Sequence, residues 1–472
     1  MQALQSRDLL SSDTNAMDQL QDFLRQRRAA PESIENLETF EQELHRLFVA
    51  AEREALSREL GRFDLDVPTI EVEGERYHRV LRCATTYTSA AGPVRVERSL
   101  YRQKHAGGHA VCPLELRAGL IEGYWTPLAA KQATWVVAHL TPQEGEELFG
   151  LLGNMTPSKS TLDRLPKQLS VHWEPQRRQF EMTLRQQEDL PAAAVTMAVS
   201  LDGVMVPMKD GARQAKRTQA VAQGKAPSGP AGYQEVGCAT LSSYDRHGTR
   251  LCTRRMARMP ETHKRTLKSQ LTAEVMGALV RRPDLRVVKV ADGAPDNWSY
   301  LRDVVPLGEE VLDYSHAVEH LQSALGAAYG EGSTTYTERA ETLRRVLRDE
   351  PEGVDKVLGA LCRLRTRSPR RQALHAAVAY FREHRHRMCY ASLRAQNLPI
   401  GSGVVEAACK TVVSQRLKRS GMRWRVAGGQ AILTFRALCQ SERFERAWPL
   451  LVGTYQREVH LPQKVIALSE HR

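Results

Sequence analysis

Apolar and polar positions change period several times along the chain. Ile34, Leu37, Phe40, Leu44, Leu47 and Ala51 recur at intervals of three and four, which predicts helix across residues 16–62, with Gly61 as its stop. That stripe suits packing onto the chain's own core; a short coiled coil would need more heptads. Over 67–103 the period drops toward two. Tyr77–Arg82 and Val94–Arg98 read as strands joined at Gly92-Pro93, a β-ribbon. Helix returns over 126–175. Thr126-Pro127 and Thr141-Pro142 supply caps with proline at the first helical position, and Gly153-Asn154 ends the second helix.

The third helix of that region opens at Ser158, and its short predecessors suit a helix-turn-helix. Ser158, Lys159, Ser160 and Arg164 would then face DNA. Pro166 is expected to end or kink this helix early, and a plain helical connector is the competing reading. From residue 194 the pattern becomes strand-like: Ala194–Leu201 with Val204 and Val206, then 233–243 and 249–256. A Gly/Ala/Lys/Arg-rich loop is expected over 208–231. A helix over 261–280 and a strand over 285–290 follow. Three strands, a helix, a strand and a helix predict a mixed sheet covered by helices, an α/β architecture. Residues 316–400 read as helical and basic, with Arg363, Arg365, Arg367, Arg370, Arg371 and Arg382 to Arg387.

Composition narrows the function. The 472 residues carry a formal charge of +12, and 42% are hydrophobic, so the chain builds cores and favours an anionic partner, nucleic acid first. Aromatics are 6%, too few for a stacking platform as the sole binding device. No apolar run reaches membrane-span length, and the first residues lack the basic-then-apolar pattern of a secretory signal. The eight cysteines contain no C-x-x-C pair, which reads as reduced thiols. His105, His109 and Cys112 are conceivable metal ligands, but their spacing matches no zinc motif, and surface histidines beside a buried thiol serve as well.

Two strands end in Asp-Gly, at Asp202 and Asp292. Each alone is an ordinary turn, the glycine permitting a sharp bend. Side by side they would bring two carboxylates together, which repel unless a hard cation joins them. Gly401-Ser402-Gly403-Val404-Val405-Glu406 offers a third acid, with Ser402 as helix cap. Glu406 and Lys410 would otherwise form an i,i+4 pair. Arg416, Lys418, Arg419, Arg423, Trp424 and Arg425 follow, a basic run suited to phosphates.

These residues together resemble a known family. Asp202, Asp292-Gly293-Ala294 with Asn297-Trp298, Asp313-x-x-His316, Gly401-Ser402-Gly403-x-x-Glu406 and Arg416-x-Lys418-x-Ser420-Gly421-Met422-Arg423-Trp424 look like a DDE transposase. The nearest group is the bacterial insertion-sequence group ISKra-four, in the Mutator-like assemblage. The resemblance spans most of 70–450 and is most specific over 292–424. It implies a ribonuclease H-like catalytic fold with an all-helical insertion. It also implies binding of double-stranded DNA at the element ends and in the target, a homo-oligomer on DNA, no membrane, and a cytoplasmic, nucleoid-associated protein. Asp202, Asp292 and Glu406 would hold two Mg²⁺ ions, Mn²⁺ substituting, about 4 Å apart. Lys410, Arg416, Lys418, Arg419, Arg423 and Trp424 would meet DNA, and His316 a phosphate; a separate metal site on His316 and His320, or a capped helix with a packed histidine, are the alternatives. Relatives carry a C-x-x-C after a Tyr-Arg pair; here Tyr101-Arg102 lacks it, so zinc is not expected.

The expected division is 1–65 helical, 66–115 ribbon, 116–188 helix-turn-helix-like, 189–315 catalytic core, 316–400 insertion, 401–450 core with the third acid, and 451–472 tail. The expected activity is metal-dependent strand cleavage and transfer. A nuclease of the same fold that does not join, and an inactive DNA-binding descendant, are the rivals.

Overall fold

The computed structural model describes residues 15–29, 36–104, 109–209, 211–226, 232–306, 308–365 and 371–462. His105, Asp210, Arg367 and Arg370 lie outside them. The chain divides into two units, residues 1–174 with 448–472, and residues 175–447.

The first unit opens with helices α1 (Ala16–Ala29) and α2 (Leu37–Gly61). Leu47 and Ala51 of the expected stripe are buried, and Phe40 stacks on Phe23 at 5.6 Å. Strands β1 (Thr69–Val72), β2 (Glu75–Ser89) and β3 (Gly92–Arg102) follow. The expected ribbon is the β2–β3 hairpin, whose turn falls at Ala90-Ala91, because Gly92 already pairs with Ser89. A fourth strand comes from the far end of the chain: Val459–His460 pairs with Val72 and Glu71. Helices α3 (Pro113–Ala118), α4 (Pro127–His139) and α5 (Pro142–Leu152) come next. Thr141 and Glu144 form a reciprocal capping box, and Gly153 closes α5 in the left-handed region.

Helix α6 runs Lys159–Gln186, straight through Pro166. The expected early stop does not occur. Leu162, Leu165, Leu169 and Trp173 are all buried on one stripe, and that burial outweighs the roughly 3 kcal/mol cost of an internal proline.

The second unit is built on strands β4 (Thr196–Pro207), β5 (Tyr233–Tyr244), β6 (Arg250–Arg258), β7 (Arg286–Ala291) and β8 (Glu309–Leu312). Their order is β6-β5-β4-β7-β8. β5 is antiparallel to both neighbours, and β4, β7 and β8 are mutually parallel. An antiparallel three-strand meander extended on its first-strand side by two parallel strands is the ribonuclease H-like topology. Helix α7 (Gly211–Ala222) replaces most of the expected 208–231 loop. Helices α8 (Arg265–Arg281) and α9 (Pro295–Asp303) connect the later strands. On one sheet face, Leu267, Leu271 and Val275 of α8 pack in a core with Val199, Leu201, Ala239 and Leu241.

Five helices follow β8: α10 (Tyr314–Tyr329), α11 (Thr334–Asp349), α12 (Gly353–Arg363), α13 (Arg371–Glu383) and α14 (Tyr390–Ala395). This is the all-helical insertion. The chain then returns to the sheet with α15 (Gly403–Ala408), which widens into a π-helical turn over Cys409–Ser414 and ends in α16 (Gln415–Leu417). Val405, Ala408, Cys409, Val412 and Val413 of this run pack on Val206, Val236 and Cys238, the opposite sheet face from α8. Helix α17 (Val426–Gln440) adds Ile432 and Leu433 to that core. Among the described residues no helix is long and apolar enough to cross a membrane.

Candidate metal centre

Strand register brings the acids together. Ser200 on β4 lies opposite Val290 on β7, and Ala291 on β7 opposite Leu312 on β8. Carrying both registers forward puts Asp202, Asp292 and Asp313 at matching positions on three neighbouring strands. Asp202 does not end its strand, as its Asp-Gly pair suggests. It sits inside β4, where pairing with β7 stops and pairing with β5 continues, opposite Cys238. Neither following glycine makes a sharp left-handed turn. Each is small because a side chain occupies the Cβ position: Glu235 over Gly203 and Tyr380 over Gly293.

Neutral donors hold each acid. Asp202 Oδ1 accepts from its neighbour Gly203 N at 2.6 Å, and Oδ2 from the Cys409 thiol at 3.5 Å. Burial pushes the Asp202 carboxyl above the ordinary aspartate range and the Asp292 charge adds to that, outweighing the Gly203 N–H. Asp292 Oδ1 accepts from Ala294 N at 3.1 Å and from Asn297 Nδ2 at 3.2 Å. The Trp298 indole donates to the Asp292 carbonyl at 2.5 Å, and Arg387 of the insertion lies 3.9 Å over the Trp298 ring. Glu406 is exposed and accepts from Ser402 Oγ at 2.5 Å. Ser402 therefore sits at the cap position without capping; its hydroxyl serves the acid instead of a backbone N–H. Among the described residues none of these acids, nor Asp313, pairs with a lysine or arginine; the Glu406–Lys410 pair does not form.

Asp313 is fully buried. Its Oδ2 accepts from His316 N at 3.0 Å, capping α10, and its Oδ1 accepts from Ser402 N at 2.6 Å. One carboxylate thus ties the end of β8 to the loop that delivers Glu406. Ligand atoms of Asp313, His316 and Glu406 lie within 4.8 Å of one another. Among the described residues no group that tight joins Asp202, Asp292 and Glu406. Glu406 is brought first to Asp313 and His316, and Asp202 to Asp292. Among the described residues, the group close enough to hold a metal does not include His320; its ring stacks on Tyr380 at 3.7 Å, and burial lowers its pKa.

The donor set fits a hard divalent cation. Asp313 and Glu406 bring carboxylate oxygens within 4.8 Å of each other beside His316, the hydrogen bonds to the acids come from neutral groups that leave the negative charge intact, and Asp202 feels the Asp292 charge.

The remaining candidates divide by exposure. Lys410, Lys418 and Arg423 are exposed, and Arg419 is half-buried. Arg416 is 1% exposed and lies over the Trp424 ring at 5.5 Å. Trp424 donates its indole N–H to Leu417 O, its backbone N–H to Pro207 O, and accepts from Lys209 N, tying this loop to the end of β4. Arg416 is thus packed into the loop, and the half-buried Trp424 anchors it. His316 pairs through Nδ1 with Glu319 at 3.2 Å. In the first unit Ser158, Lys159, Ser160 and Arg164 are exposed, and the Ser158 hydroxyl caps α6 through Thr161 N. His109 is exposed and Cys112 buried.

Two supporting side chains escape sequence reasoning. Cys409 reads as one of eight scattered thiols, and Tyr380 as one apolar residue of an insertion helix. Asn297, Trp298 and Ser402, by contrast, sit inside motifs that the resemblance singles out.

No protein-family model matches the chain, and no curated protein matches it. Among solved structures, the chain is similar to the Drosophila P element transposase strand transfer complex, at 10% identity and a TM-score of 0.25, over 69% of this chain and 80% of that one.

Proposed function

We propose that this protein is a DNA transposase whose second unit cuts DNA and joins the freed 3′ end to a target. The observation that carries the reading is the alignment of Asp202, Asp292 and Asp313 by strand register, with Glu406 tied to them through Ser402, neutral donors on each acid and, among the described residues, no pairing lysine or arginine. Asp202, Asp292 and Glu406 would hold Mg²⁺ or Mn²⁺. When bound, such ions lower the pKa of an attacking water and stabilise the leaving 3′ oxygen. The chain's own part is positioning: Cys409, Asn297 and Ser402 orient the three acids, and Asp313 anchors the loop bearing Glu406. Such chemistry requires no Ser, Cys or Lys nucleophile.

Lys410, Lys418, Arg419 and Arg423 flank the third acid and would neutralise phosphates, with His316 beside them. Ser158, Lys159, Ser160 and Arg164 would read the element ends, bound by at least two copies. The ISKra-four kinship belongs to this proposal, as do the division into modules and a place in the bacterial cytoplasm.

The test incubates the purified chain and its Asp292→Ala variant with labelled duplex from the DNA flanking its own coding sequence, with and without Mg²⁺. Metal-dependent nicking at one boundary, absent in the variant, is the expected result. Binding without cutting in either Mg²⁺ or Mn²⁺ overturns it in favour of an inactive DNA-binding protein. Cutting without joining to a plasmid target identifies a nuclease.

A further inference from the structure

We infer that Tyr380, on helix α13 of the insertion, is a further catalytic residue of this centre, whose hydroxyl donates a hydrogen bond to a non-bridging oxygen of the DNA phosphate being cut. The inference rests on the reading that Asp202, Asp292 and Glu406 form the cleavage site.

Position comes first. A Cβ built on Gly293, the residue after Asp292, would meet Tyr380 Cε2 at 2.5 Å and the phenol oxygen at 3.0 Å. The hydroxyl thus lies against the backbone of the Asp292 loop, and the charges of Asp292 and Asp313 both act on it. Only glycine at 293 allows this approach.

The ring is held there. His320 stacks on it at 3.7 Å with 16° between planes, and His384 meets it edge-on at 4.7 Å. An aromatic clamped between two insertion helices presents its polar end with little freedom to lose on binding.

The hydroxyl lacks an acceptor. Other buried or half-buried tyrosines use theirs: Tyr87 bonds to Glu115, Tyr300 to Lys268 O, Tyr390 to Leu312 O and Tyr455 to Glu122. Among the described residues Tyr380 donates to none. Asp292 and Asp313 already accept from Ala294, Asn297, Ser402 and His316. A donor aimed at an acid cluster, and not taken by it, suits an acceptor that arrives with the substrate. A phosphate oxygen has that chemistry. The phenol holds its proton at neutral pH, since an ordinary tyrosine titrates near 10 and burial pushes this one higher.

The experiment uses full-length protein and Tyr380→Phe, which keeps the ring on Gly293 and on His320. In Mg²⁺, single-turnover cleavage of the flanking duplex should fall about 10- to 100-fold with the melting midpoint unchanged. A second readout needs no metal. In EDTA, the protein should distinguish the two methylphosphonate diastereomers at the scissile position by about three- to tenfold in affinity, and Tyr380→Phe should bind them alike. Cleavage by Tyr380→Phe within about twofold of the parent, or equal discrimination by both proteins, overturns the Tyr380 assignment while an inert Asp292→Ala leaves the metal centre standing. Cleavage by Asp292→Ala at the parent rate removes the metal centre, and Tyr380's role with it.

Discussion

The second unit contains two clusters of acids that the fold treats in opposite ways. Glu188 and Glu274 are 4% and 6% exposed, and arginines surround them: Arg443 reaches both, Arg254 and Arg446 reach Glu188, and Arg185 reaches Glu274. In the other cluster, Asp202, Asp292, Asp313 and Glu406 have backbone amides, a thiol, an amide side chain and a hydroxyl. At Glu188, hydrogen bonds and charge from Arg443, helped by Arg254 and Arg446, win over burial and hold it below its ordinary value; at Asp202 burial and Asp292 win. Among the described residues of a chain with 67 lysines and arginines, none pairs with these acids. The fold closes the first cluster with its own arginines; on the proposed reading, the second is closed by a bound cation.

The largest expected effect separates them by activity. Asp202→Asn or Asp292→Asn should reduce metal-dependent cleavage at least about a thousandfold, while thermal unfolding without metal moves to the same or a higher temperature, because one repelling charge is gone. A lower melting midpoint would mean that the strand-end acids are structural. Next comes the converse. Arg443→Met removes the arginine shared by two buried carboxylates and should cost about 3 kcal/mol in urea unfolding, with cleavage retained wherever the protein is still folded. A neutral result there would make the two clusters alike.

A smaller effect concerns ions. Millimolar Mg²⁺ or Mn²⁺ should raise the melting midpoint of the parent chain and leave Asp292→Asn unmoved. An equal rise in both would put the bound ion elsewhere, for instance on Asp313, His316 and Glu406. The smallest is pH. The Glu188 carboxyl lies below its ordinary value in the fold, so its stabilisation is complete above about 4.3, the unfolded value, and is lost as pH falls through the folded one. Glu188→Gln should flatten the acid limb of the stability curve; an unchanged limb would deny the arginines their role.

Local chemistry was legible where one element decides it. The β2–β3 ribbon follows from alternation, the capping box of α5 from Thr141 and Glu144, and the end of β7 at Ala291 from an apolar run that stops at Asp292. Pro166 shows the limit of local rules, since a stripe of buried leucines carries α6 through it. Arg416 and Trp424 show another: a basic run reads as surface until a turn folds back on β4 and buries part of it.

The sequence by itself determined which residues have the chemistry: acids after or within apolar strands, a glycine-flanked Glu406, and an insertion of amphipathic helices. Those are properties of composition and short period, carried by residues within a few positions of each other. Tertiary structure decided which of them meet. Parallel pairing of β4 with β7 and β8 aligns acids that are far apart in the chain, and the return of α15 adds Glu406 114 residues after Asp292. It also decided that Gly293 is there for Tyr380, and that Cys409 faces Asp202. Contacts across such separations depend on register and packing of whole elements, and no local pattern encodes them.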